Sequence, residues 1–180
     1  MKNRKAAIFI CVIVMALSVF HGARRSLADK VQEVEDMFVY GVDGTGDSIY
    51  YDLVARAKLA HNLCAVAERY LDEDYPLIAA VRKTAEALEK EQSPARCYEL
   101  NEKLDLAMAE LGNALRNEPL SAADEKYRAD IFTDYVSYAA MIAHDGYNDA
   151  VRELNEGTLK KFPTRYLKLL TMTDGAEYYG

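Results

Sequence analysis

Two short acidic stretches in this 180-residue chain carry side chains suited to metal or phosphate chemistry, and both fall short of it. Asp43, Thr45 and Asp47 alternate as the first ligands of a calcium loop would, inside the turn "YGVDGTGDS" from Tyr40 to Ser48. The sixth position is Ser48 where the sharp turn wants glycine, and the twelfth is Val54 where a bidentate glutamate belongs. The segment also lacks the lysine of a phosphate-binding loop, so turn chemistry accounts for it. Asp72, Glu73 and Asp74 in "DEDY" read as a solvated acidic cap, because the first turn of a helix favours negative charge.

Histidine and cysteine are no more suggestive. A di-iron bundle needs inward-facing Glu-x-x-His pairs, yet the residues three before His61 and His144 are Lys58 and Met141. His144 and Asp145 are neighbours, and neighbours on a helix do not face each other. Cys64 and Cys97 sit among apolar helical residues as small hydrophobes, without zinc-site spacing; a disulfide between them is the lesser alternative, since two cysteines seldom meet the required geometry by chance. No serine or cysteine occupies a nucleophile motif. The expectation is therefore a non-enzymatic protein with no catalytic, metal or cofactor-binding residues and no cofactor. The alternative is a metal-binding or enzymatic bundle whose carboxylates converge only in the fold. Tyr135, Tyr138 and Tyr147 could line a groove for a peptide or partner helix, although aromatic residues at helical spacing are usually core.

The elements that carry these residues read as helices. Leu27, Val31, Val34 and Phe38 recur at steps of four, three and four, one stripe of an amphipathic helix. After the glycine-rich turn, Asp47 or Ser48 can cap a second helix with Ile49, Leu53, Ala57, Ala60, Leu63, Ala67 and Tyr70 on one face. Pro76 disfavours helical geometry at Tyr75, so the helix breaks there and resumes with Asp74 as cap and Leu77, Val81, Ala85 and Leu88 as stripe. Ser93 and Pro94 repeat that grammar before Cys97, Leu100, Leu104, Ala107, Leu111 and Ala114. Ser121 then caps a helix carrying Tyr127, Ile131, Tyr135, Tyr138 and Ile142, expected to pass Gly146, where the glycine's cost of about 1 kcal/mol relative to alanine allows a local bend, and to end at Phe162 before Pro163. If unbroken it would measure about 63 Å. Helices joined by short breaks, with no strand pattern, predict an all-α antiparallel bundle of long helices.

Charge is unevenly spread. Five of the 22 bases (Lys2, Arg4, Lys5, Arg24, Arg25) precede Ser26 and none of the 29 acids does, leaving 17 bases against 29 acids, net −12, from Ser26 onward. So acidic a body repels a phosphate backbone and argues against nucleic acid as a partner. The cluster Lys160, Lys161, Arg165 and Lys168 reads as a helix end complementing its dipole. The basic leader precedes an uncharged apolar run from Ala6 to Phe20, about 22 Å as a helix. Extended to Ala23 it reaches about 27 Å, and flanking Lys5 and Arg24 can snorkel across the remainder of a core near 30 Å. Signal cleavage after Ala23 would put His21 where a small residue is wanted. A retained single transmembrane helix is thus preferred to a cleaved signal. The charge bias mildly prefers the acidic body outside the cell membrane.

"GYNDAVRELNEGTLKKFPT", Gly146 to Thr164, places Tyr147, Asn148, Val151, Asn155, Phe162 and Pro163 in an alternation that resembles the C-terminal signature of LemA-like proteins. An N-terminal span running into an amphipathic helix, and "YYDLVARAKLAHNLCAVAERYL" after it, also look like that family's first two helices. The glycine-rich turn and the "DEDYP" break depart from its smoother helices. The resemblance implies a membrane-anchored helical bundle, a protein-interaction or scaffold role at the cell envelope, and no established enzymatic activity. Asn148 and Asn155 are one heptad apart, and a polar residue in a bundle seam can select register by hydrogen-bonding across helices. Alternatively both flank the seam, half solvated. The expected layout is an anchor at residues 1–23, a bundle at 24–165 and a flexible tail at 166–180. Its expected partners are the lipid bilayer, through Ala6 to Ala23, and an unidentified protein, with room for a homo-oligomer.

Overall fold

A computed structural model describes every residue except Met1, Asp43, Thr45, Glu73 and Asp74, and of Lys2, Asn3 and Lys5 only the backbone. The described residues are all-helical, without strands. They form two compact units: Met37–Asn148 with Glu177–Gly180, and Met1–Asp36 with Asp149–Ala176. The first helix, α1 (Lys2–Tyr40), contributes its last turn to the former and the rest to the latter.

In the unit built around Met37–Asn148, four helices follow α1: α2 (Ile49–Ala67), α3 (Pro76–Lys90), α4 (Pro94–Leu115) and α5 (Ala122–His144). Gly41 ends α1 with φ +85°, its N–H donating to Met37 O at 2.9 Å. A Cβ there would lie 2.3 Å from Asp47 O, so only glycine lets the chain double back. Ser48 caps α2 by accepting from Tyr51 N at 3.1 Å, while its hydroxyl donates to Val39 O at 2.9 Å. Ser93 and Ser121 cap α4 and α5 through Arg96 N and Asp124 N, with Pro94 in the first turn of α4. At α3, Pro76 takes the first turn and Tyr75 precedes it without a side-chain cap; the expected cap, Asp74, lies outside the described residues.

The apolar stripes become one core. Leu53, Ala57, Ala60 and Leu63 of α2 meet a core shared with Val81, Ala85 and Leu88 of α3, Leu104, Met108 and Leu111 of α4, and Ile131 of α5. Each such Leu or Ile removed from water contributes about 1.5–3 kcal/mol. Cys64 and Val66 are buried as well, because α2 packs against α3, α4 and α5 together and so hides more than one stripe. Antiparallel pairing shows at the end of α2, where Tyr70 Oη donates to Asp124 at 2.6 Å and accepts from Ser121 N at 3.1 Å, joining it to the start of α5. Cys64 and Cys97 are buried free thiols.

The long helix expected from Ser121 to Phe162 does not form. α5 ends at His144; Asp145 turns extended (ψ 140°) and its carboxylate accepts from Tyr147 N at 2.7 Å. An Asp before Gly146 thus caps a new helix, α6 (Tyr147–Arg152), where local hydrogen bonding outcompetes continuation.

In the other unit, α1 exposes its apolar residues from Ala6 to Val19 and buries Leu27. It is the one described helix long and apolar enough to cross a membrane. α6 runs on into a π-helical segment, Glu153–Thr158, closed by Leu159 N donating to Leu154 O at 2.8 Å, and Val151, Leu154 and Leu159 are buried. After Pro163 a further helix, α7 (Thr164–Thr171), forms where a flexible tail was expected; Met172 ends it in the left-handed region with φ 51°.

Candidate functional site

The signature residues serve two backbone clamps on the C-terminal segment. In the unit built around Met37–Asn148, the Asn148 amide donates to Tyr179 O at 2.8 Å and accepts from Tyr179 N at 3.0 Å. Tyr147, fully buried, donates its hydroxyl to Glu177 O at 2.6 Å, and Ser93 Oγ donates to the Glu177 carboxylate at 2.8 Å. Tyr179 slots its ring among Phe38 (6.0 Å between centroids) and Tyr98 (5.4 Å, edge to face), and Phe38 also meets Tyr147 at 5.5 Å. Such aromatic pairs add to the burial of the rings themselves.

Asn155 does the same in the unit built around Asp149–Ala176. Its amide donates to Ala176 O at 2.8 Å and accepts from Ala176 N at 3.1 Å. Gly175 permits this, since a Cβ there would lie 2.1 Å from Asn155 Oδ1. A primary amide matches a peptide unit's donor and acceptor together, which no aspartate or leucine can. The expected role of Asn148 and Asn155 in setting helix register is therefore corrected: their partners are the extended segment's backbone, not a facing helix. That same pairing holds down the tail expected to be flexible. Val151 is buried as a seam residue should be, but Phe162 is 83% exposed with its ring edge-on to Tyr166 at 6.1 Å, and Pro163 leads into α7.

Sequence patterns gave no sign of the most polar part of the bundle interior. Arg56, on the central helix α2, is 2% exposed. Its guanidinium donates to Asn101 Oδ1 and Asp105 Oδ1 of α4 and lies 4.0 Å over the Tyr135 ring of α5. Tyr135 closes the circuit by donating to Asp105 Oδ1 at 2.8 Å. Burial pushes the Tyr135 and Tyr179 phenols well up, with Arg56 acting against it in both. Neither ionises near neutrality, so the cluster holds one cation against one carboxylate. Arg56 Nε and Tyr179 Oη are buried with no hydrogen-bond partner among the described residues. Tyr135 and Tyr147 are thus interior tyrosines rather than the lining of an open groove.

Other titratable groups lie apart from this cluster. Asp52, buried in the first turn of α2, has its carboxyl pushed up to about 6 by desolvation and then by Asp145 and Asp47. Desolvation raises Asp145 too, while the Tyr147 N–H opposes it. Burial lifts the Cys64 thiol to about 11 and Cys97 to about 12, leaving both protonated and unreactive. His61 lies 3.8 Å from Glu89, and His144 Nδ1 sits 2.9 Å from Ala140 O on its own helix. Among the described residues no three His, Cys, Asp or Glu gather as metal ligands; Asp43 and Thr45 of the calcium-like turn, and Glu73 and Asp74, lie outside them.

No protein-family model, curated protein or solved structure matches this chain.

Proposed function

We propose that this is a membrane-anchored, non-enzymatic helical-bundle protein of the LemA type, holding an acidic scaffold body outside the cell membrane for a protein partner. The observation that carries the reading is α1. It is apolar and exposed through its first half and continues without a break to Tyr40, so one helix serves as both anchor and the first element of the body. Two features of the body support a scaffold. Its core is apolar, and its buried guanidinium is engaged by Asn101, Asp105 and Tyr135 rather than presented to a cleft. The Tyr147–Asn148 and Asn155 clamps hold the chain end in one conformation, as a docking body requires.

Crosslinking in intact cells, followed by identification of the captured proteins, tests the proposal. A specific partner recovered by the full chain, and lost when residues 2–23 are removed, supports it. Stoichiometric tight metal with no specific partner would overturn it in favour of a metal-binding bundle.

A further inference from the structure

α7 and the residues before it do not look like part of an acidic, water-facing body. From Lys160 to Met172 the chain holds four bases (Lys160, Lys161, Arg165, Lys168) and no acid, although the residues from Ser26 onward are net −12. The large apolar side chains of the same stretch are turned out: Phe162, Tyr166, Leu169 and Leu170 are all exposed, and Met172 is 90% exposed. An eight-residue helix with an uncovered apolar face and a basic collar is the composition of an element lying in a lipid interface.

Its neighbour within the same unit is the apolar half of α1. Leu167 and Leu170 line one cleft of about 350 Å³ with Val19, Phe20 and Ala23. Measured along α1, Ala23 back to Ala16 is about 10 Å, the depth to which an interfacial helix sinks below the headgroups. The lipid that would surround α1 therefore also reaches α7. Apolar side chains held at that depth would face acyl chains, and the four bases would reach the phosphate layer above them.

We propose that the segment from Lys160 to Met172 lies in the membrane surface beside the exit of α1 and binds anionic phospholipid headgroups, a second lipid contact for the unit that carries the anchor. This rests on the reading of α1 as an anchor, and the two can be separated. The chain contains no tryptophan, so single substitutions give unambiguous probes. Leu169→Trp reports the proposed interface, Val14→Trp the anchor, and Leu106→Trp an exposed site on α4.

Each full-length variant is reconstituted in vesicles of phosphatidylcholine and phosphatidylglycerol with brominated acyl chains. Quenching of Val14→Trp and Leu169→Trp by about half or more, with Leu106→Trp nearly unquenched, is the expected result for a helix sunk into the acyl boundary. The quenching of Leu169→Trp should also weaken when Lys160, Lys161, Arg165 and Lys168 are all changed to Glu. Quenched Val14→Trp with Leu169→Trp at the Leu106→Trp level overturns the interfacial segment and leaves the anchor standing. Unquenched Val14→Trp overturns the anchor and this inference with it. Equal Leu169→Trp quenching with and without the four charge reversals overturns the role of anionic headgroups.

Discussion

Replacing Asn148 by alanine removes both hydrogen bonds to the Tyr179 backbone while leaving an excellent helix former in place. At about 1 kcal/mol net for each bond, the substitution should cost about 2 kcal/mol. Deleting residues 177–180 should cost more, because the Tyr179 ring comes out of its aromatic pocket and Tyr147 loses its acceptor. Ring burial at about 2–3 kcal/mol and the lost bonds together give about 4–6 kcal/mol. In a unit of this size 1 kcal/mol moves the melting temperature by roughly 4 °C, so Asn148→Ala should melt about 8 °C lower. The assay is thermal unfolding of the full chain in mild detergent, followed by helical circular dichroism. The decisive quantity is the coupling between the two changes: in the truncated chain Asn148→Ala should cost close to nothing, since its partner is gone. An equal cost in both backgrounds would mean that Asn148 serves a helix seam after all, and the clamp would be wrong.

Arg56→Ala removes charge-assisted bonds to the buried Asn101 and to Asp105, whose side chain is 40% exposed and can be rehydrated, so the change should cost about 2–4 kcal/mol in urea unfolding, with Arg56→Lys recovering little because an ammonium lacks the planar fork that meets both acceptors while lying on the Tyr135 ring. For Asp52 the folded-state value of about 6 exceeds the usual 3.8, so the folded chain holds the proton more tightly. The group's destabilisation is full above pH 6 and fades as pH falls towards 4. Asp52→Asn should therefore melt higher than the parent at pH 7.5, with the gap narrowing by pH 5; a gap that widens on acidification would contradict the assignment. Gly175→Ala drives a methyl into the Asn155 amide, so hydrogen exchange at Ala176 should speed up about tenfold, the loss of roughly one 1.4 kcal/mol hydrogen bond, an effect absent from Gly22→Ala on α1, where an added Cβ meets no atom within 4 Å.

Helix identity, three serine caps and the two prolines at helix starts were legible because each rests on local chemistry within a few residues. The break at Asp145 was legible only as a bend allowed at the adjacent Gly146, because helical periodicity continues on both sides, and only the carboxylate's bond to Tyr147 N reveals a new helix start. Asn148 and Asn155 stood out as polar residues in a helical seam, for which a partner on a facing helix was expected. The partner lay instead in "GAEYY", a segment too short and too irregular for periodicity to register. Arg56 was invisible for a different reason: it occupies a position on α2 next to the buried stripe, and one arginine among apolar neighbours looks like a snorkelling surface residue until Asn101, Asp105 and Tyr135 arrive from two other helices.

Everything proposed about role depends on α1 remaining in the bilayer. Alkaline carbonate washing of cell membranes, with the mass of the retained chain determined, tests it. The chain should stay in the pellet with residues 1–23 still attached and move to the supernatant when residues 2–23 are deleted. An intact chain released without detergent, or a pelleted or secreted product beginning after Ala23, would contradict it.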